Sequence, residues 1–184
     1  LDDNMVAFTN GSDTVNSDND ASDDEGHGSH VAGIIAAEKN SSGVHGVAYD
    51  ADIYGFKALN SSGSGSDTTL GNALGLIENI AAIDIINNSW GSNNDCSSES
   101  ECRASVGTTV YDNWEDLSQL STPKITVFAA GNDGESQPGT QCQAMVYNSD
   151  INAVSVCVVA TSHYTSSAYN VGDGLLASFS NKCG

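Results

Sequence analysis

Apolar residues recur along this chain with two periods, and the switches between them lay out the elements. Between residues 27 and 38, Val31, Ile34, Ile35 and the stem of Glu38 fall on one face at helical spacing. Ala32, Gly33, Ala36 and Ala37 are small enough for that helix to pack closely on a sheet. Residues 52–58 read as a strand and Gly63-Ser64-Gly65-Ser66 as a loop. Asp67 reads as the N-cap of a helix over 68–82, where Leu70, Leu74, Ile77 and Ala81 keep the 3.6-residue period. Residues 84–88 form a short buried strand, 93–103 a polar insertion, and 104–120 a helix with Val110, Trp114 and Leu117 on one face. Residues 125–129 and 153–159 are β-rich runs. Strands alternating with helices of this length predict an α/β fold with a mainly parallel sheet and helices on both faces. Sites in such sheets form beyond the carboxyl ends of strands, where Asn88-Ser89 and Gly131-Asn132 fall.

The 184 residues suit a single domain, with no composition shift, repeat or linker to divide them. Composition narrows the partners. A net charge of −19 with five lysines and arginines excludes a phosphate-tracking surface, so nucleic acid and anionic membranes are not expected partners. The apolar runs are far too short for membrane insertion by this segment. Acidity is densest at Asp18, Asp20, Asp23, Asp24 and Glu25. That segment reads either as a solvated loop or as a structural calcium site, and its spacing does not match an EF-hand loop.

The candidate chemistry begins at Gly26-His27-Gly28-Ser29-His30. A histidine held between glycines at a helix start has open space on its reactive side and a rigid element behind it, which suits a general base. His30 is expected to pack within the helix, and His45 and His163 to be structural or surface residues. A zinc site from His27 and His30 is the rival, but the His-Glu-x-x-His pattern is absent and no metal is assigned. Gly131-Asn132-Asp133-Gly134 presents an asparagine on a turn after the 125–129 strand, and by itself it reads as a plain turn. Five cysteines stand at 96, 102, 142, 157 and 183. Cys96 and Cys102 flank a polar segment able to close as a surface loop, and a disulfide there fits an oxidising compartment. Cys142 and Cys157 can form a second bridge, or Cys157 is a buried free thiol. With that second bridge Cys183 is left over and points to a partner outside the sequence.

Taken in order, Gly26 to Ala37, Val47 to Tyr54, Phe56 to Leu59, Asn87 to Gly91, Val127 to Gly134 and Ala177 to Asn181 resemble successive blocks of the subtilisin-like serine proteases, the subtilases. The resemblance spans essentially the whole chain. It implies a subtilisin-like fold and a serine endopeptidase with an Asp-His-Ser triad, acting on polypeptide substrates. It makes His27 the catalytic base and Asn132 the oxyanion-hole donor. It also makes Gly63, Ser64 and Gly65 an exposed edge that pairs with the substrate main chain. Ser89, Trp90 and Gly91 face Ala129, Ala130 and Gly131 as walls of the first specificity pocket. Trp90 departs from the small or aliphatic residue usual there, and is otherwise simple core. Ser29 replaces the family's usual threonine.

The outer members of the triad match no residue. No Asp-Thr-Gly or Asp-Ser-Gly turn precedes His27, and no Gly-Thr-Ser block occurs by Gly184. The expectation is therefore a single partial peptidase domain over residues 1–184, truncated at both ends. It lacks the N-terminal aspartate strand and the C-terminal serine segment, and is inactive alone. The alternative is a non-catalytic subtilase-like binding or scaffold module. Phe179 to Gly184 is similar to the matching block of subtilases found as autotransporter passengers in Gram-negative bacteria. That implies a secreted or cell-surface bacterial protein, with a propeptide or autotransporter barrel elsewhere in the full chain. No cofactor is required, and calcium enters only as a structural ion.

Overall fold

The computed structural model describes residues 2–7, 11–161 and 176–182. The chain divides into two compact units, Leu1–Ile80 and Ala81–Gly184.

In the first unit, α1 (His27–Ala36) and α2 (Asp67–Glu78) are joined by irregular chain with turns at 47–50 and 61–62. The last carbonyls of α1 have no partner within the helix, and the returning chain supplies them. Val47 N–H donates to Ile34 O, Ala48 N–H to Ile35 O, and Gly46 N–H to Ala37 O just past the helix end. This backbone-on-backbone approach needs a glycine, because a Cβ at Gly46 would lie 2.6 Å from Ala36 Cα. It also changes which face is covered. Ala36 is fully buried, Val31, Ile35 and Glu38 are half-buried, and Ile34 is 58% exposed. Apolar spacing marked the large residues, whereas the closest neighbour is backbone and selects the small ones.

Residues 52–58 are not a continuous strand. They pair only through single parallel bridges, Met5 with Ile53 and Asp13 with Lys57. The Asn4 amide knits this region together, its Nδ2 lying 2.8–3.1 Å from the carbonyls of Ala36, Tyr49 and Ala51. The N-cap of α2 is Ser66, one residue before the expected Asp67. Ser66 Oγ accepts from Thr69 N–H while Thr69 Oγ1 accepts from Ser66 N–H, a reciprocal pair that Asp67 could not form. The helix stops at Glu78 rather than at 82, with Gly71, Ala73, Leu74 and Ile77 buried.

The second unit is built on a parallel sheet of β1 (Ile85–Asn88), β2 (Ile125–Ala129) and β3 (Ser155–Val158), in that order. Its helices are α3 (Glu99–Val106), α4 (Thr108–Gln119), α5 (Thr140–Ala144) and α6 (Ser149–Val154). The single helix expected over 104–120 is split at Gly107. Its φ of 106° is forbidding for a side chain and lets it end α3 and begin α4. Val110, Trp114 and Leu117 on α4 are fully buried, as their spacing predicts. The Trp114 ring lies 4.7 Å from that of Phe128 on β2. Its Nε1–H faces Thr126 Oγ1 at 2.9 Å and Ser155 Oγ at 3.1 Å, so one indole ties α4 to two strands.

β1 is half exposed rather than buried. Ile86 and Asn88 point inward, while Ile85 lies on the opposite sheet face with Ile125, Val156 and Val158, all at least 45% exposed. Disulfides join Cys96 to Cys102 and Cys142 to Cys157, the second linking α5 to β3. Cys157 is therefore a bridge member and not a free thiol. Among the described residues no helix is long and apolar enough to cross a membrane.

Trp114→Ala should cost about 3–5 kcal/mol, the range for emptying a large aromatic site. Trp114→Phe should cost about 1–2 kcal/mol, because the ring volume stays while Thr126 and Ser155 lose a donor. Urea unfolding checks both, and no measurable cost in Trp114→Phe would mean that the indole N–H contributes nothing.

Candidate active site

His27 is the first residue of α1 and is exposed. The free N–H groups of this helix start are taken by two carboxylates from the preceding acidic loop. Glu25 Oε2 accepts from His27 N–H at 2.9 Å. Asp23 accepts from Glu25 and Gly26 N–H through Oδ1, at 3.0 and 2.8 Å, and from Ser29 N–H through Oδ2 at 2.7 Å. Gly26 takes a φ of 104°, which turns the chain into the helix immediately before the ring. The hydrogen bonds from Gly26, Ser29 and Glu25 hold the Asp23 carboxyl well below the usual carboxylate range.

The acidic segment is thus more than a solvated loop. Asp18 and Asp20 accept from the N–H groups of Asp20 and Ser22, and Asp24 pairs with Lys57 Nζ at 2.8 Å. Burial tends to raise the Asp13 carboxyl, yet the hydrogen bonds from Asn16 and Val15 and the charge of Lys57 outweigh it, leaving a net lowering. These carboxylates accept from backbone donors and a lysine. Among the described residues no group of three or more His, Cys, Asp or Glu side chains converges as metal ligands. His30 is exposed rather than packed, since it lies on the open side of the helix start. His45 is a surface residue set edge-on to Tyr49 at 5.5 Å. His163 and Cys183 lie outside the described residues.

Gly63, Ser64 and Gly65 are exposed, but they belong to a closed turn rather than a free edge. Gly63 N–H donates to Asn60 O, and Asn60 Oδ1 accepts from Ser62 and Ser64 N–H. Two of the main-chain donors expected to meet a substrate are thereby satisfied within the loop.

The second unit brings the remaining candidates together. Asn88 pairs with Phe128 at the carboxyl ends of adjacent parallel strands, so Ser89-Trp90-Gly91 and Ala129-Ala130-Gly131 leave the sheet side by side. The half-buried Trp90 ring stands edge-on to Phe128 at 5.4 Å. The start of α5 holds both segments, Thr140 and Gln141 on the side of Ser92 and Gly139 on the side of Ala130, and neither Thr140 nor Gln141 stood out in the sequence. Thr140 N–H donates to Ser92 O, Gln141 Oε1 accepts from Ser92 N–H, and Gly139 N–H donates to Ala130 O. Both residues are short polar links without periodicity, so only the tertiary structure reveals them. Asn132 sits exposed on the turn that follows β2, directly after Gly131 with its φ of 107°. Asn93 Nδ2 donates to Asp133 Oδ2 on the outer side of that turn. His27 thus stands at a helix start in the first unit, and Asn132 is exposed on a strand-end turn in the second.

The sequence pattern of the subtilase family matches residues 1–184. The chain is 38% identical over 117 residues to the minor extracellular protease Epr of Bacillus subtilis, covering 63% of this chain and 16% of Epr. It is 36% identical over 114 residues to subtilisin DY of Bacillus licheniformis, covering 62% of this chain and 36% of that protein. Among solved structures, sphericase superposes on 98% of this chain with a TM-score of 0.71 at 24% identity, which speaks for the fold alone. A psychrophilic protease, S41, does so with a TM-score of 0.68 at 26% identity. The chain spans 53% of each of these two structures and a smaller share of the two curated relatives.

A carboxyl depressed by folding stabilises the fold above its ordinary value near pH 4 and loses that contribution as pH falls through its lower folded value. Asp23→Ala should therefore lower stability at pH 7 by roughly 0.5–1 kcal/mol, the lower half of the capping range because Asp23 is exposed. The gap between variant and parent should close as the pH drops below about 4 and on through the depressed value. Thermal melting across that range is the check, and a gap independent of pH would mean that the carboxylate is not the cap.

Proposed function

This chain belongs to the subtilase family, and on that premise we propose that it supplies the base and the oxyanion donor of a serine endopeptidase. The observation that carries the reading is the strand-end arrangement of the second unit. Parallel pairing of β1 with β2 ends at Asn88 and Phe128, so the segments 89–91 and 129–131 follow adjacent strand ends, with Asn132 exposed just beyond the second. Peptide hydrolysis needs a base for the nucleophile's proton and donors for the developing oxyanion. In this proposal His27 Nε2 takes the proton from a serine hydroxyl, and the hydroxyl oxygen attacks the scissile carbonyl carbon. The Asn132 side-chain amide donates to the carbonyl oxygen as it becomes negative. His27 then returns the proton to the leaving amine, and water repeats the cycle on the acyl-enzyme.

The serine and the aspartate of the triad have no counterpart in these 184 residues, so residues 1–184 alone are proposed to be inactive. The reaction calls on no cofactor. Extracellular relatives from Bacillus subtilis and Serratia marcescens, together with the two disulfides, support export of the protein. Display at a bacterial surface as an autotransporter passenger extends that proposal.

In the complete protease, His27→Ala should abolish nearly all peptide turnover and leave the thermal melt unchanged. Asn132→Ala should lower kcat by roughly two to three orders of magnitude with KM little altered, a value carried over from subtilisin's own oxyanion asparagine. Asn132→Gly would restore activity if the residue only shaped the turn. Steady-state kinetics on a chromogenic peptide decide, and near-native kcat in Asn132→Gly would sink the oxyanion role.

A further inference from the structure

The segment 177–181 carries no role in the mechanism above, yet it lies against the turn that presents Asn132. Ser180 Oγ accepts from Ala160 N–H at 3.0 Å, and Ala177 N–H donates to Ala160 O, fixing the segment close to the end of β3. From that base Asn181, only 1% exposed, reaches the turn in three ways. Its Oδ1 accepts from Asp133 N–H and from Glu135 N–H, each at 3.0 Å. Its own N–H donates to Gly131 O at 3.1 Å. Its Nδ2 occupies the space a Cβ at Gly131 would need, 2.5 Å away. Around it, Gly134 N–H donates to Phe179 O and Lys182 N–H to Glu135 O.

Asn132 is thus bracketed. The carbonyl of the residue before it and the N–H of the residue after it are both held by the same buried side chain and backbone. The turn has no helix or sheet ladder of its own to fix it, so its geometry is set from outside. Oxyanion stabilisation depends on aim, since a displacement of about 1 Å can cost on the order of 100-fold in rate.

We propose that Asn181 is the positioning residue that aims the Asn132 amide at the substrate oxyanion. This rests on the reading of Asn132 as the oxyanion donor. A purely structural Asn181 would lower stability and would cost the same rate whether or not the Asn132 amide were present. A positioning residue acts through Asn132, so its cost should disappear once that amide is gone.

A double-mutant cycle in the complete protease separates the two. Asn181→Ala should reduce kcat by roughly 10–100-fold with KM within about threefold, and by less than about threefold when added to Asn132→Ala. An equal loss in both backgrounds overturns the proposal while leaving the oxyanion role intact. No loss of kcat in Asn132→Ala itself would instead bring down the oxyanion reading, and the proposal with it. If Asn181→Ala does not fold, Asn181→Ser takes its place in the cycle, keeping a shorter polar side chain. If neither folds, Asn181 holds the fold rather than the aim, and the proposal fails.

Discussion

Backbone N–H groups that leave a strand or enter a helix have no partner from regular structure, and satisfying them is the constraint that the candidate segments of both units share. Four candidate segments meet it in the same way, each with a side-chain oxygen that collects at least one N–H. Asp23 gathers Glu25, Gly26 and Ser29 around His27. Asn60 gathers Ser62 and Ser64. Gln141 takes Ser92 beside the 89–91 segment. Asn181 takes Asp133 and Glu135 around Asn132. A side-chain oxygen can close such a turn without a sheet edge, so the loops keep one geometry while their outer surfaces stay exposed for a ligand. The acceptor therefore fixes the loop, and in the proposed reaction the loop fixes the reactive group.

Rigidity behind the two loops of the second unit, those set by Gln141 and Asn181, comes from that unit's own core. Trp114, Phe128 and Val110 are fully buried, and the indole N–H is spent on Thr126 and Ser155 of the two strands it covers. Because β1 and β2 are parallel and in direct register, their carboxyl ends open at one level, which is where an α/β sheet offers a site. The disulfide from Cys142 to Cys157 adds a covalent tie between α5, which begins with Thr140 and Gln141, and β3.

What could be read from the sequence followed from repetition. The buried face of α4 repeats large apolar residues at helical spacing, and β2 is a compact β-branched and aromatic run, so both were legible. The blocks around His27 and Asn132 stood out through their resemblance to successive subtilase blocks, and the family match over residues 1–184 bears out that resemblance. The split at Gly107 was hidden because the apolar period continues across it, and only the backbone angle breaks the helix. α5 and α6 are too short for a period to show. The cap at Ser66 rather than Asp67 turned on Thr69, three residues away, which makes one of two adjacent candidates reciprocal. Gln141 and Asn181 were illegible for a different reason. Each is a single polar residue whose function lies in a partner 46 to 49 positions away.

The chemical type of each acceptor is consistent with the charge that each group acquires in the proposed reaction. His27 gains a proton during turnover, and the loop that sets it does so with carboxylates, Asp23 and Glu25. Asn132 meets an oxygen that turns negative, and the groups buried behind its turn and the adjoining wall are neutral amides, Asn181 and Gln141. A buried carboxylate at either amide position would accept the same N–H groups but would oppose the oxyanion through a medium that screens poorly. The carboxylates that do stand near Asn132, Asp133 and Glu135, are exposed to water, where their field is damped. In a chain with 24 acidic residues, keeping charge out of the buried positions behind that turn is itself a condition on the site.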